Sequence, residues 1–153
     1  MFISRSVRRG LLSVVPLMMI LPSNSFAADI VGRAERLMDG DTLEICDEAG
    51  CVSVRLCGID APEPNEPGFK DSLAELEKIA GGKSVRCRPV EEGTICDGRA
   101  ARVSGNRIIA QCFLNGTNVD IATEMVASGF ACDWVRYSGG YYSENNTGVQ
   151  CAK

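Results

Sequence analysis

From residue 30 onward, apolar and polar positions alternate with the two-residue period of half-buried strands. Ile30 to Met38 and Thr42 to Cys46 read as two strands joined at Asp39-Gly40. Val52 to Ile59 reads as a third, with Val54 and Leu56 on one face and Ser53, Arg55 and Cys57 on the other. Pro62, Pro64, Pro67 and Gly68 then exclude a strand and mark a loop. The period lengthens over Lys70 to Ala80, where Leu73, Leu76, Ile79 and Ala80 fall at helical spacing and Gly81-Gly82 supplies the stop. Ser84 to Val90 and Arg107 to Leu114 predict two further strands, separated by an irregular stretch from Glu91 to Asn106. Asp120 can cap a second helix that runs to about Ser128, with Gly129 behind it. The remainder reads as an aromatic, disulfide-rich, loop-like tail. Three strands, a helix, two strands and a helix predict an α+β, mainly β domain: a five-stranded OB-fold barrel with two helices.

The first 27 residues follow another rule. Arg5, Arg8 and Arg9 precede the apolar run Leu11 to Leu21, which leads to Pro22 and the small-residue end Ser25-Phe26-Ala27. A basic start, a short apolar centre and a small-x-small end read as a cleaved export signal. The run is shorter than the roughly 20 residues that a membrane helix needs. One domain over residues 28–153 is therefore expected, periplasmic or extracellular, monomeric and without stable membrane insertion.

Cysteine usage supports export. All 8 Cys lie beyond Ala27 and no two stand in a CxxC spacing, so a disulfide framework is favoured over zinc. Cys46 and Cys51 flank the turn Asp47-Glu48-Ala49-Gly50, and Cys132 and Cys151 bracket the tail; both pairs are expected to be bonded. The sequence contains no His. That excludes Ser-His-Asp and Cys-His catalysis and His-ligated zinc. Chemistry must run on carboxylates, Arg, Lys, Tyr, Cys or a bound ion.

One constellation offers such chemistry. Asp39-Gly40-Asp41-Thr42-Leu43-Glu44-Ile45 is followed, after nine intervening residues, by Arg55-Leu56-Cys57-Gly58-Ile59-Asp60-Ala61-Pro62-Glu63. Antiparallel strands would bring the start of the second and the end of the third to one sheet edge, so that Asp41 and Asp60 converge on one hard cation. Pro62 biases Ala61 to an extended backbone whose carbonyl can add an oxygen ligand. Glu63, held just past the ion, could deprotonate a water, and Arg55 could present its fork to a phosphate.

These paired motifs resemble the staphylococcal nuclease (thermonuclease) family. The resemblance runs from about Val31 to Tyr137 and includes Gly82-Lys83, Arg107-Ile108-Ile109-Ala110 and Met125 to Ala131. It implies an OB-fold, bound Ca²⁺ and cleavage of DNA and RNA phosphodiesters at the 5′ oxygen, leaving 3′-phosphates. It puts Asp41, Asp60 and the Ala61 carbonyl on calcium, makes Glu63 the water-activating group, and makes Arg55 and Arg107 the pair stabilising phosphoryl charge. The family's Tyr-Gly before the second arginine is replaced by Gly105-Asn106, so a substrate-contacting Tyr is lost. Arg99 competes for that alignment, but the strand-like Ile108-Ile109-Ala110 favours Arg107. Trp134 and Tyr137, with Tyr141 and Tyr142, could stack bases at the site mouth or simply cover the barrel end.

Charge opposes this reading. The chain carries 16 basic and 20 acidic residues; removing 1–27 takes away three arginines and no acid, leaving 13 against 20, or −7. Weak affinity for long nucleic acid is expected, with millimolar Ca²⁺ dependence. A non-catalytic OB-fold module binding nucleic acid or protein is the alternative. Such a module should have lost one of Asp41, Arg55, Asp60, Glu63 or Arg107, and all five are present.

Overall fold

Alternating apolar side chains close the strands around one core. A computed structural model describes residues 27–151. Its strands are β1 (Ile30–Leu37), β2 (Thr42–Asp47), β3 (Gly50–Leu56), β4 (Ile59–Asp60), β5 (Ser84–Pro89), β6 (Val103–Ser104), β7 (Arg107–Leu114) and β8 (Cys132–Asp133). Its helices are α1 (Phe69–Ala80), α2 (Ile121–Ala127) and α3 (Val135–Ser138), with a 3-10 turn at Ser143–Asn145. β3, β2, β1, β5 and β7 neighbour one another in that order, and a parallel β3–β7 pairing closes the ring. This is the five-stranded mixed barrel of an OB-fold. Ala34, Leu43, Val54, Val85 and Ala110 fill it from the strands and are fully buried.

The helices close its ends. Leu76 and Ala80 of α1 and Ile121, Met125 and Val126 of α2 join the same core. Lys83 Nζ donates to the carbonyls of Lys78 and Ile79, satisfying orphan acceptors at the end of α1. Asp120 caps α2, its Oδ1 accepting from the Ala122 and Thr123 amides at 2.9 and 3.4 Å. Asp47 Oδ1 accepts from Ala49 and Gly50 across the β2–β3 turn, which sets Cys46 opposite Cys51.

All eight cysteines are paired: Cys46–Cys51, Cys57–Cys96, Cys87–Cys112 and Cys132–Cys151. Four disulfides in so small a chain fit an oxidising compartment. No described helix is long and apolar enough to cross a membrane. The export signal read from the sequence lies, apart from Ala27, outside the described residues.

Three expectations are corrected. The third strand does not run to Ile59: it stops at Leu56, and Gly58, at φ 78°, turns the chain so that Ile59–Asp60 pairs with Cys132–Asp133 instead. A Cβ at Gly58 would collide with Ser138, so the turn requires glycine. Cys57, read on the strand face of Ser53 and Arg55, instead lies past the end of β3, buried against Val90 and Cys96. The irregular stretch is not wholly so, since it ends in the β6–β7 hairpin; the tail, loop-like and disulfide-tied as expected, also holds the short α3 and a 3-10 turn.

Candidate active site

The Asp39-Gly40-Asp41 turn sits at one end of the barrel and is fixed from both sides. Asp39 Oδ1 accepts the Asp41 amide at 2.9 Å, and the Leu56 amide donates to the Asp41 carbonyl at 2.7 Å. A Cβ at Gly40 would overlap the Ser72 hydroxyl, which donates to the Phe130 carbonyl, so the turn lies flat on α1. Asp41 is thus held with its side chain 1% exposed.

Its carboxylate is a junction. Oδ2 accepts the Ala61 amide and Oδ1 accepts the Thr42 hydroxyl, each at 2.9 Å, while Arg55 Nη1 also donates to Oδ1. Arg55 Nη2 donates to Asp60 Oδ1 at 3.1 Å and lies 3.4 Å from the Ile59 carbonyl. One guanidinium therefore gathers both carboxylates, even though Asp60 arrives from β4 and not from β3. Arg107, on the strand beside β3, donates to the Thr42 hydroxyl at 3.3 Å. Burial pushes the Asp41 carboxyl up to about 7; Arg55 opposes the rise and Asp39 adds to it.

Arg55, Asp60, Glu63 and Arg107 open together onto a cleft of about 340 Å³, with Trp134 and Tyr137 on its wall. The two rings meet edge to face at 4.7 Å between centroids. Glu63 is half-buried, and its amide donates to Glu66 Oε2 at 2.8 Å. Asp41 lies behind Arg55 and does not line the cleft, and Ala61 lines a separate cavity beside Pro62 and Phe130. Of the two competing arginines, Arg107 reaches the cleft, whereas Arg99 lies against Gly139. The aromatic group divides: Tyr142 is a fully buried core residue near the Cys57 carbonyl, with its hydroxyl pKa raised by burial first, and Tyr141 is exposed.

Two contributors were not singled out from the sequence. Thr42 links the arginines through Asp41, and its place in Asp-Gly-Asp-Thr was the available signal. Ala100, Ala101, Val103 and Ser104 form the wall facing Trp134, and nothing in their spacing marks them.

Three aspartates stand at this end of the barrel. Asp39, Asp41 and Asp60 are all buried, yet one guanidinium contacts the latter two and, among the described residues, no cation pairs with the first. Carboxylate oxygens are the donor type that calcium prefers, and here Arg55 contacts those of Asp41 and Asp60. The two described carboxylate–cysteine trios, Glu44-Cys46-Cys51 and Asp60-Cys132-Cys151, are not alternatives, because their sulfurs are bonded to each other.

No family model matches the chain. A protein of Escherichia coli O157:H7 named an uncharacterized endonuclease is 41% identical over 58 residues, covering 38% of each chain. A probable endonuclease LCL3 of Komagataella phaffii is 33% identical over 89 residues, 52% of this chain and 34% of that one. Another of Clavispora lusitaniae is 28% identical over 104 residues, 61% of this chain and 40% of the relative. The chain thus spans roughly a third to two-fifths of the length of the curated relatives that it matches.

Proposed function

We propose that this chain is a calcium-dependent nuclease of the thermonuclease type, acting as an exported monomer on DNA or RNA. The observation that carries the reading is the convergence of Arg55, Asp60, Glu63 and Arg107 on one cleft, with Asp41 and Thr42 joining the two arginines behind it. The endonuclease names of the partial relatives point the same way.

In this mechanism Arg55 and Arg107 bind the scissile phosphate from two directions and hold the charge that grows on its oxygens. Their forks are preorganised by Asp41, Asp60 and Thr42, so little is spent on ordering them when substrate arrives. Glu63, free of any described cation partner at the cleft edge, takes the proton of the attacking water. Asp41, Asp60 and the Ala61 carbonyl would hold Ca²⁺. Held there, a calcium ion would supply positive charge near the phosphoryl oxygens without a proton to donate. By the family resemblance, the 5′ oxygen leaves and a 3′-phosphate remains. Trp134 and Tyr137 supply faces on which a flanking base can stack.

The test is end-labelled single-stranded DNA and RNA incubated with the oxidised protein in millimolar Ca²⁺ or in EGTA. Cleavage in calcium alone is expected. A folded, calcium-binding protein that retains the oligonucleotide uncut would favour the non-catalytic binding module.

A further inference from the structure

Two of the four disulfides repeat what strand pairing already does. Cys46–Cys51 and Cys87–Cys112 each join residues directly opposed in an antiparallel ladder. Cys57–Cys96 differs. It spans a sequence separation of 39 and ties the end of β3 to the stretch 91–102, which forms no strand with it. That stretch is otherwise held mainly by its own local bonds, Thr94 to Glu91, Asp97 to Thr94 and Ala100 to Cys96. Its described links to the barrel are the Arg102 Nε donation to the Val90 carbonyl just past β5 and the Ile109 amide donation to Arg102, both 3.0 Å, and the Ile95 side chain, which packs on the main core as well as on the Cys57–Cys96 cluster.

The bond also lies in an informative place. Cys57 and Cys96 are buried with Val90 in a cluster separate from the main core, against which Ile95, Ala100, Ile109 and Tyr137 pack. Four of those residues, Cys57, Ala100, Ile109 and Tyr137, line the cleft. Arg55 stands two residues before Cys57, and Arg107 two before Ile109. The small cluster thus touches both walls of the cleft and both strands that deliver the arginines.

We infer that the Cys57–Cys96 disulfide is a positioning element of the active cleft: it holds the 91–104 wall and the Tyr137 ring at working distance from Arg55 and Arg107. The inference rests on the nuclease reading for its effect on rate, but its effect on cleft geometry stands apart from it. It predicts that the enzyme keeps its barrel and loses its cleft when this one bond is absent.

The experiment compares the oxidised wild type with C57A/C96A, the better-filled C57A/C96V, and the turn control C46A/C51A. Hydrogen exchange reports the wall, and acrylamide quenching of Trp134, the single Trp of the chain, reports the cleft. Both C57A/C96A and C57A/C96V should exchange faster over 91–106 while β1 to β3 stay protected, and Trp134 should be quenched more readily. Their kcat/KM should fall at least about tenfold, as expected when catalytic groups drift by a fraction of an ångström. C46A/C51A should match the wild type in all three. Wild-type exchange and quenching in C57A/C96V would overturn the inference, because packing alone would then hold the wall. If the wild type fails to cut, the nuclease reading falls, and exchange and quenching still decide the role of the disulfide.

Discussion

Among single residues, a chain of contacts runs Arg107, Thr42, Asp41, Arg55, Asp60 and sets the two arginines. Replacing Thr42 by Val keeps the shape and removes the hydroxyl that Arg107 and Asp41 share. One net hydrogen bond is worth about 1 kcal/mol, so kcat should fall by roughly five- to tenfold with little loss of thermal stability. Steady-state kinetics beside a melting curve check this. Arg107→Lys is not conservative here, since Lys has the charge but not the planar fork. Loss of a positioned donor at a developing oxyanion costs about 10²–10³ in rate, and that is the fall expected from a single-turnover assay.

At the scale of elements, Gly58 decides where Asp60 goes. Its φ of 78° turns β3 into β4, and a side chain would meet Ser138. A left-handed backbone costs a side-chain-bearing residue about 1–2 kcal/mol before any collision is counted. Gly58→Ala should therefore lower Tm by several degrees and weaken calcium binding through Asp60, read by calorimetry with and without the ion. A second element-scale effect follows from the α2 cap. Burial raises the pKa of Asp120, so its protonated form favours the fold below about pH 4, its unfolded value. That contribution fades as pH rises through the raised folded value. Gln111 and two helix amides already bond the carboxylate, so Asp120→Asn can keep the cap. Its Tm should vary less with pH than that of the wild type across this window.

The elements show where sequence is readable. Period-two runs placed the five barrel strands to within a few residues, because a half-buried strand must alternate. Asp120 and Gly129 likewise marked α2 through backbone chemistry written in single residues. The break at Gly58 was hidden because Ile59 continues the apolar pattern, and only the collision with Ser138, distant in sequence, shows why the chain must turn. The wall at Ala100 to Ser104 was hidden for a related reason: small residues carry no period, and a disulfide partner 39 residues away fixes them. Asp41, Arg55, Asp60 and Glu63 could be named from the paired motifs and Arg107 only through the family resemblance, but the Thr42 link between the arginines needed three strands in register.

At the scale of the whole molecule, the formal charge of −7 beyond residue 27 sets the manner of approach to a polyanion. Two arginines, with no long basic face read from the sequence, can neutralise only about two phosphates, so log affinity should fall with log salt at a slope of about −2 or shallower. Fluorescence anisotropy of a labelled oligonucleotide across a salt series measures that slope. A slope near that of a multi-contact binder would point to a surface beyond this cleft.

The most direct measurement is single-turnover cleavage of labelled single-stranded DNA by the wild type and Glu63→Gln, in saturating Ca²⁺ and in EGTA. Calcium-dependent cleavage by the wild type is expected, with a loss of about 10²–10⁴ in the variant, the usual contribution of a positioned general base, and oligonucleotide binding retained. Equal rates for the two proteins, or cleavage undiminished by EGTA, would contradict the proposed mechanism.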